Sequence, residues 1–363
     1  MALVTRRGFA GFWPAAVIGG EFALARAARG AGEPMVSIDS NENPDGPPEI
    51  ALKVMRESLA LGGRYHFEAT EDLETELARG LGLKRGEVLA GAGSSEILHA
   101  AIDVFTSATR PVVVSNPTYE ACPELARALG RPSEKIPLTP TYAADVEKMA
   151  AVARAKKAGL VYVCNPNNPT GSATPLDRIK WLSENLPGDC VLLVDEAYLD
   201  FSPQLGSAVG LVKVGRNVVV ARTFSKIWGM AGLRVGYGCA RTEYINRMSP
   251  FRDMVLNVAS ARGALAAIKN SGTILPQRRA KMTKLRGDVC TWLHGKGFDY
   301  IEPYGNFVMI KIKRPVRPVI QAFANHGVSV GRPFPPYEDM LRVTMGTEHE
   351  MDRFRAAFTQ VFS

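Results

Sequence analysis

The residues with the most chemistry to offer lie between Arg222 and Tyr237. Arg222-Thr223-Phe224-Ser225-Lys226 is followed, eight residues after the lysine, by Arg234, in a loop interrupted by Gly229 and Gly232. Two hydroxyls and a guanidinium can hold a phosphate, and a lysine beside them can form an imine with a carbonyl compound. Gly91-Ala92-Gly93-Ser94-Ser95-Glu96 reads as a turn entering a helix, whose first N–H groups supply a second set of anion-binding donors. Asp195, in Val194-Asp195-Glu196-Ala197-Tyr198, closes an apolar run. A carboxylate at such a strand end faces the crevice where open α/β sheets bind ligands. Each feature alone has a plainer reading. Asn165 to Gly171 (NPNNPTG) is made of ordinary turn residues, a strand-end aspartate is equally a loop acid, and a lone Ser-Lys pair is normally solvated surface. Their combination is far more specific.

The elements that must position these groups are legible as alternating strands and helices. Apolar runs at Pro111–Ser115, Leu160–Cys164, Cys190–Asp195, Asn217–Ala221 and Val235–Cys239 are nearly continuous, as strands buried on both faces should be. Helical patterns lie between them at Ser94–Phe105, Tyr119–Leu129, Ala144–Lys157 and Pro175–Asn185. The expected architecture is α/β, a mostly parallel mixed sheet flanked by helices. Beyond Gly238 the character becomes α+β: a long helical region from Ile245 to Ile268, another from Gln277 to Leu293, strands within Ile301–Lys313 and Gly327–Met345, and a closing helix at Glu348–Val361. The expected division is an export signal over 1–27, an N-terminal arm joining the small domain over 28–60, a large domain over 61–240 and a small α+β domain over 241–363.

Composition narrows the classes. Of 363 residues 46% are hydrophobic and 22% charged, enough for a packed core and too apolar for a disordered chain. The five cysteines are odd in number, widely spaced and never arranged as CxxC, which argues against a disulfide scaffold or a zinc ribbon; no metal site is expected. The net charge of +8 comes from Lys and Arg spread without dense clusters, which suits small anionic ligands better than nucleic acid. Thr5-Arg6-Arg7-Gly8-Phe9, an apolar stretch to Leu24 and small-x-small sites at 23–27 form the pattern of an export signal, with Glu21 interrupting it. The paired arginines resemble a twin-arginine signal. The expected destination is the periplasm, the alternative the cytoplasm with an ordinary N-terminal helix. No segment approaches the 18 apolar residues of a membrane span.

Taken in order, the motifs NENPDGPP (from Asn41), GAGSSE, NPTY, NPNNPTG, VDEAY, RTFSK with GLRVGY, GNF and LRVTMGT resemble those of fold-type I pyridoxal-phosphate aminotransferases, most nearly the histidinol-phosphate aminotransferase family. The resemblance implies pyridoxal 5'-phosphate as cofactor and an amino donor and a 2-oxo acid as substrates. It implies that Lys226 forms the Schiff base and then carries the substrate proton, that Asp195 pairs with the pyridinium nitrogen, and that Tyr198 and Asn168 bond the ring oxygen. Tyr119 would stack on the ring. Ser94, Ser95, Thr223, Ser225 and Arg234 would form the phosphate cup. Tyr65, after Arg64, matches a tyrosine that reaches the phosphate of the partner subunit, which implies a homodimer. Arg342 matches the arginine that grips a substrate carboxylate, and Asn41 and Arg332 are further substrate-site candidates.

The chain departs from the family pattern at three places. Arg64-Tyr65 is followed by His66-Phe67 in place of Pro-Asp, and Val255-Leu256-Asn257-Val258-Ala259 lacks one polar group. Arg332, in Val330-Gly331-Arg332-Pro333-Phe334, is one position from the arginine associated in the family with the substrate phosphate; in a strand, one position turns a side chain to the opposite face. A loop adjustment can still bring Arg332 to the site, so the expected donor is an amino acid or a histidinol-phosphate-like amine. A decarboxylase or amino-acid oxidase on the same scaffold is an alternative reaction. A non-catalytic cofactor-binding regulator is a remoter one, because such regulators carry a DNA-binding domain where this chain shows a signal.

Overall fold

The computed structural model describes residues 34–363; the expected signal over 1–27 lies outside them. Among the described residues twelve strands are numbered in chain order. Seven form one sheet: β2 (Val88–Gly91), β3 (Val112–Asn116), β4 (Ser133–Pro137), β5 (Leu160–Cys164), β6 (Val191–Asp195), β7 (Val218–Thr223) and β8 (Gly236–Ala240). Their spatial order is β2-β8-β7-β6-β5-β3-β4, with β8 antiparallel to both neighbours and all other pairs parallel. β2 therefore runs in the same direction as β3 to β7, and all six end on one edge.

Alternation along each strand explains why the sheet separates two cores. Val113, Val161, Val163, Leu192, Val194, Val218 and Val220 enter one buried cluster. Val112, Val114, Leu160, Tyr162, Cys164, Leu193 and Val219 enter the other, with Ile97, Leu98, Ile102 and Phe105 of the Ser94–Phe105 helix. Burial of both faces is what makes the central strands read as unbroken apolar runs. The edge strand β4 (SEKIP) buries only Ile136, so no apolar run marks it, and β2 is too short to stand out. Neither was expected.

A second, antiparallel sheet has the order β12 (Met340–Thr344), β10 (Phe307–Lys311), β9 (Tyr300–Ile301). Beside it β1 (Val36–Ser37) pairs in parallel with β11 (Val328–Ser329). Ile38 extends that pairing, its N–H donating to Ser329 O and its carbonyl accepting from Thr344 N. This ladder carries the chain at Asp39 to Asn41 alongside β12.

Two expected helices have different bounds. The region Ile245 to Ile268 is broken: a helix ends at Met248, Pro250 sits in a one-turn 3-10 segment, and a new helix runs Val258–Lys269. Asn257 starts it by accepting from the N–H of Ala259 and Ser260, an N-cap that only a helix start needs. The following helix begins at Ser271, ahead of Gln277, with Pro276 inside it near its start.

Candidate active site

The site lies on the sheet edge where the parallel strands end, the place at which open α/β sheets bind ligands. β6 delivers Asp195 as its last residue, β7 delivers Thr223, and β5 leads directly into Asn165. β2 leads through Gly93 into the Ser94–Phe105 helix.

Asp195 is buried. Burial lifts its carboxyl to about 6, against the pull of the Tyr162 hydroxyl, the Ala197 N–H and the charge of Lys226. Tyr162 Oη donates to Oδ2 at 3.1 Å, and Ala197 N donates to Oδ1 at 3.1 Å. Tyr162 was read from the sequence only as a strand core residue. Its role follows from parity, since Tyr162 and Cys164 share a face of β5 and Cys164 is in register with Asp195.

Lys226 is half-buried, its Nζ donating weakly to Ser40 O at 3.4 Å and lying 5.5 Å from the centre of the Tyr198 ring. Burial, then the charge of Arg342, brings the ammonium down to about 8, with Glu42 and Asp195 opposing. A lysine so placed has a substantial neutral fraction near neutral pH, as a nucleophilic amine needs. Tyr198 is buried and accepts from Asn41 Nδ2 at 3.0 Å; burial raises its phenol. Asn41, in the left-handed region at φ 54°, is fixed to β12 by Thr344, whose hydroxyl accepts from Asn41 N and donates to Asn41 Oδ1.

Arg342 projects from β12 and is buried. Nη1 donates to Asn168 Oδ1 at 2.7 Å and Nη2 to Asp39 O, while Nε has no partner. Burial brings this guanidinium down to about 10, and Arg332 pushes the same way. A buried donor without an acceptor is costly, so the arrangement is suited to an incoming anion.

The groups expected to hold a phosphate converge. The Ser94–Phe105 helix starts without a side-chain cap. Thr223 Oγ1 donates to Ser225 Oγ at 2.9 Å, and Arg234 donates from Nη1 to Ser225 Oγ at 3.4 Å and from Nη2 to Ala92 O at 3.3 Å. Two glycines make the approach possible. A Cβ at Gly93, where φ is +82°, would stand 2.3 Å from Arg234 Nη2, and one at Gly236 would stand 2.2 Å from Ser94 N. An uncapped helix start, two hydroxyls and a guanidinium in one cradle match a phosphate in charge and donor count. Tyr119 lies on the loop after β3, and burial, then the charge of Asp195, raises its phenol while the Ser95 side chain opposes.

Two expected residues lie outside the phosphate cradle. Tyr65 is 70% exposed with its ring against Phe67, and among the described residues it makes no hydrogen bond to this cluster. Arg332 is not turned away, because the chain after β11 leaves strand geometry. Gly331 N donates to Arg342 O at 2.9 Å, and both guanidinium carbons lie 4.5 Å from the centre of the Phe334 ring. Arg332 also pairs with Glu120, a residue the sequence reading did not single out.

The family model for aminotransferase class I and II matches residues 33–358. A histidinol-phosphate aminotransferase from Moorella thermoacetica is 31% identical over 335 residues, covering 91% of this chain and 86% of its own. Histidinol-phosphate aminotransferase 2 from Methylococcus capsulatus is 32% identical over 371 residues, covering 98% and 96%. Among solved structures, histidinol-phosphate aminotransferase from Sinorhizobium meliloti in complex with pyridoxal-5'-phosphate superposes with a TM-score of 0.88 at 25% identity, covering 98% of this chain and 99% of that one.

Proposed function

The chain belongs to the class I and II aminotransferases, and we propose how its own residues divide the work of that activity. It is a pyridoxal-phosphate-dependent transaminase of the histidinol-phosphate aminotransferase-like group, with the fold-type I architecture. Pyridoxal phosphate, when bound, supplies an electrophilic carbonyl carbon and an electron-accepting ring that acidifies the bond at the substrate Cα.

The observation that carries the assignment of roles is the meeting, on one sheet edge, of Lys226, Asp195 and the cradle of Thr223, Ser225, Arg234 and the Ser94 helix start. In this reading Lys226 Nζ would be the amine that holds the cofactor carbonyl carbon, and the same Nζ would carry the proton at the substrate Cα. Asp195, ionised above about pH 6, would pair with the ring nitrogen of the cofactor and favour its protonated form. Tyr198 and Asn168 would bond the ring oxygen, Tyr119 would cover the ring, and the cradle with Ser95 would hold the phosphate. Arg342, with its free Nε, receives the donor carboxylate, while Asn41 keeps Tyr198 in place.

We further propose a homodimer in which Tyr65 reaches the partner's phosphate cradle. Tyr65 and Phe67 are 70% and 46% exposed, Phe251 and Met254 51% and 72%, and Leu256 N donates to Thr70 Oγ1 where the two segments meet. Exposed large apolar side chains on two adjoining segments suit an interface. The two-domain division, with 28–60 joining 241–363 and 61–240 forming the large domain, is kept as part of this reading, as is export through the twin-arginine pattern at Arg6-Arg7. A panel of donors and acceptors, followed as loss of the cofactor's bound-lysine absorbance without oxygen, tests the function. Conversion that needs an acceptor to reverse supports transamination; release of carbon dioxide or peroxide defeats it. For export, replacing both arginines by lysine should leave the protein in the cytoplasm, and unchanged export would remove that part of the reading.

A further inference from the structure

Two cations stand on one aromatic ring in this site, and they are not equivalent. Arg342 is buried and keeps Nε without a partner, whereas Arg332 is 36% exposed and already committed. Its Nη1 donates to Pro333 O at 3.0 Å and its Nη2 to Glu120 Oε2. Glu120 directly follows Tyr119, so the pair ties the loop after β3 to the loop after β11. Glu124 lies within the same field: burial and the charge of Glu120 raise its carboxyl, while Arg332 and Arg127 lower it. Beneath both guanidinia, Phe334 belongs to a buried cluster with Ile301, Met309 and Met340.

This arrangement discriminates among donors. A donor whose far end is a phosphate could use Arg332 only by displacing Glu120, and its two charges would then rest beside Glu120 and Glu124. An uncharged side chain makes no claim on Arg332 and leaves its ion pair with Glu120 intact. Specificity of this kind comes from repulsion as much as from attraction. Building on the transaminase roles given above, we propose that Glu120 is a specificity-determining residue: by holding Arg332 it closes the second cation of the site to phosphorylated amine donors. The site is thereby left to α-amino acids with uncharged side chains, whose carboxylate goes to Arg342.

The test uses the holoenzyme and two unreactive ligands that lack an amine, glutarate with a charged far end and 3-phenylpropionate with an uncharged one, titrated by calorimetry. Glu120→Gln should tighten glutarate by about three- to fivefold, the upper range for a partly exposed ion pair, with a much smaller change for 3-phenylpropionate. The double variant Glu120→Gln with Arg332→Gln should lose that gain. In turnover, the unmodified enzyme should show a higher kcat/KM for L-phenylalanine than for histidinol phosphate, and Glu120→Gln should narrow the gap through KM. A glutarate affinity changed by less than about twofold, a gain that survives removal of Arg332, or a native preference for histidinol phosphate would each overturn the proposal. Binding is read without turnover, so absence of transamination with every donor would count against the catalytic roles alone.

Discussion

Tyr162→Phe isolates one hydrogen bond at the centre of the site. Phenylalanine keeps the ring that fills the buried face of β5 and removes only the hydroxyl that donates to Asp195 Oδ2 at 3.1 Å. A hydrogen bond to a charged group contributes about 1.5–3 kcal/mol, and about 1.4 kcal/mol corresponds to one pKa unit. At 3.1 Å the lower end applies, so the Asp195 carboxyl should move from about 6 to about 7. The assay is the rate at which cofactor-free protein captures pyridoxal phosphate, followed by absorbance as a function of pH. Capture needs Lys226 neutral and Asp195 ionised. Because the lysine lies at about 8, the rate should fall by about tenfold per unit as pH drops below 8, and more steeply once Asp195 takes up its proton. That steepening should begin near pH 6 in the native protein and about one unit higher in Tyr162→Phe. An unmoved break would refute the claim that Tyr162 holds Asp195 ionised, and a plateau reached only near pH 10 would refute the lowered lysine.

Two further substitutions probe the anion sites. Gly236→Ala places a methyl 2.2 Å from Ser94 N and 2.4 Å from Gly93 C, backbone atoms that cannot step aside. It should destabilise the fold by about 1–3 kcal/mol and weaken cofactor binding by at least about tenfold, read by thermal unfolding with and without cofactor; native affinity would remove the cradle. Arg342→Lys replaces a fork that bonds Asn168 Oδ1 and Asp39 O by a single point charge. KM for carboxylate donors should rise by about ten- to a hundredfold in steady-state kinetics, and an unchanged KM would place the carboxylate elsewhere.

The contrast between β5 and β4 shows what the sequence could reveal of the fold. Central strands buried on both faces leave an apolar run, and β5, β6 and β7 were found within a few residues. The edge strand β4 buries one residue in five and leaves no such mark. Helix ends differed at Asn257, where a local cap sets the start, and near Pro276, which the helix from Ser271 accommodates inside it. Site residues carried by contiguous motifs, such as Thr223 to Lys226, could be picked out because one short segment supplies several groups. Contacts made by side chains distant in sequence could not. Tyr162 meets Asp195 only through strand register, and Glu120 meets Arg332 across 212 positions of chain. Arg332 stands over the same ring as Arg342 because the parity rule holds only inside a strand, and β11 ends at Ser329.

The central claim is that Lys226 is the residue that carries the cofactor. Borohydride reduction of the holoenzyme followed by peptide mass mapping tests it directly. The account predicts a single pyridoxyl-modified peptide containing Lys226, absent from Lys226→Ala reconstituted with the same cofactor. Modification of a different lysine in the native protein, or a native lysine-bound absorbance retained in Lys226→Ala, would contradict it.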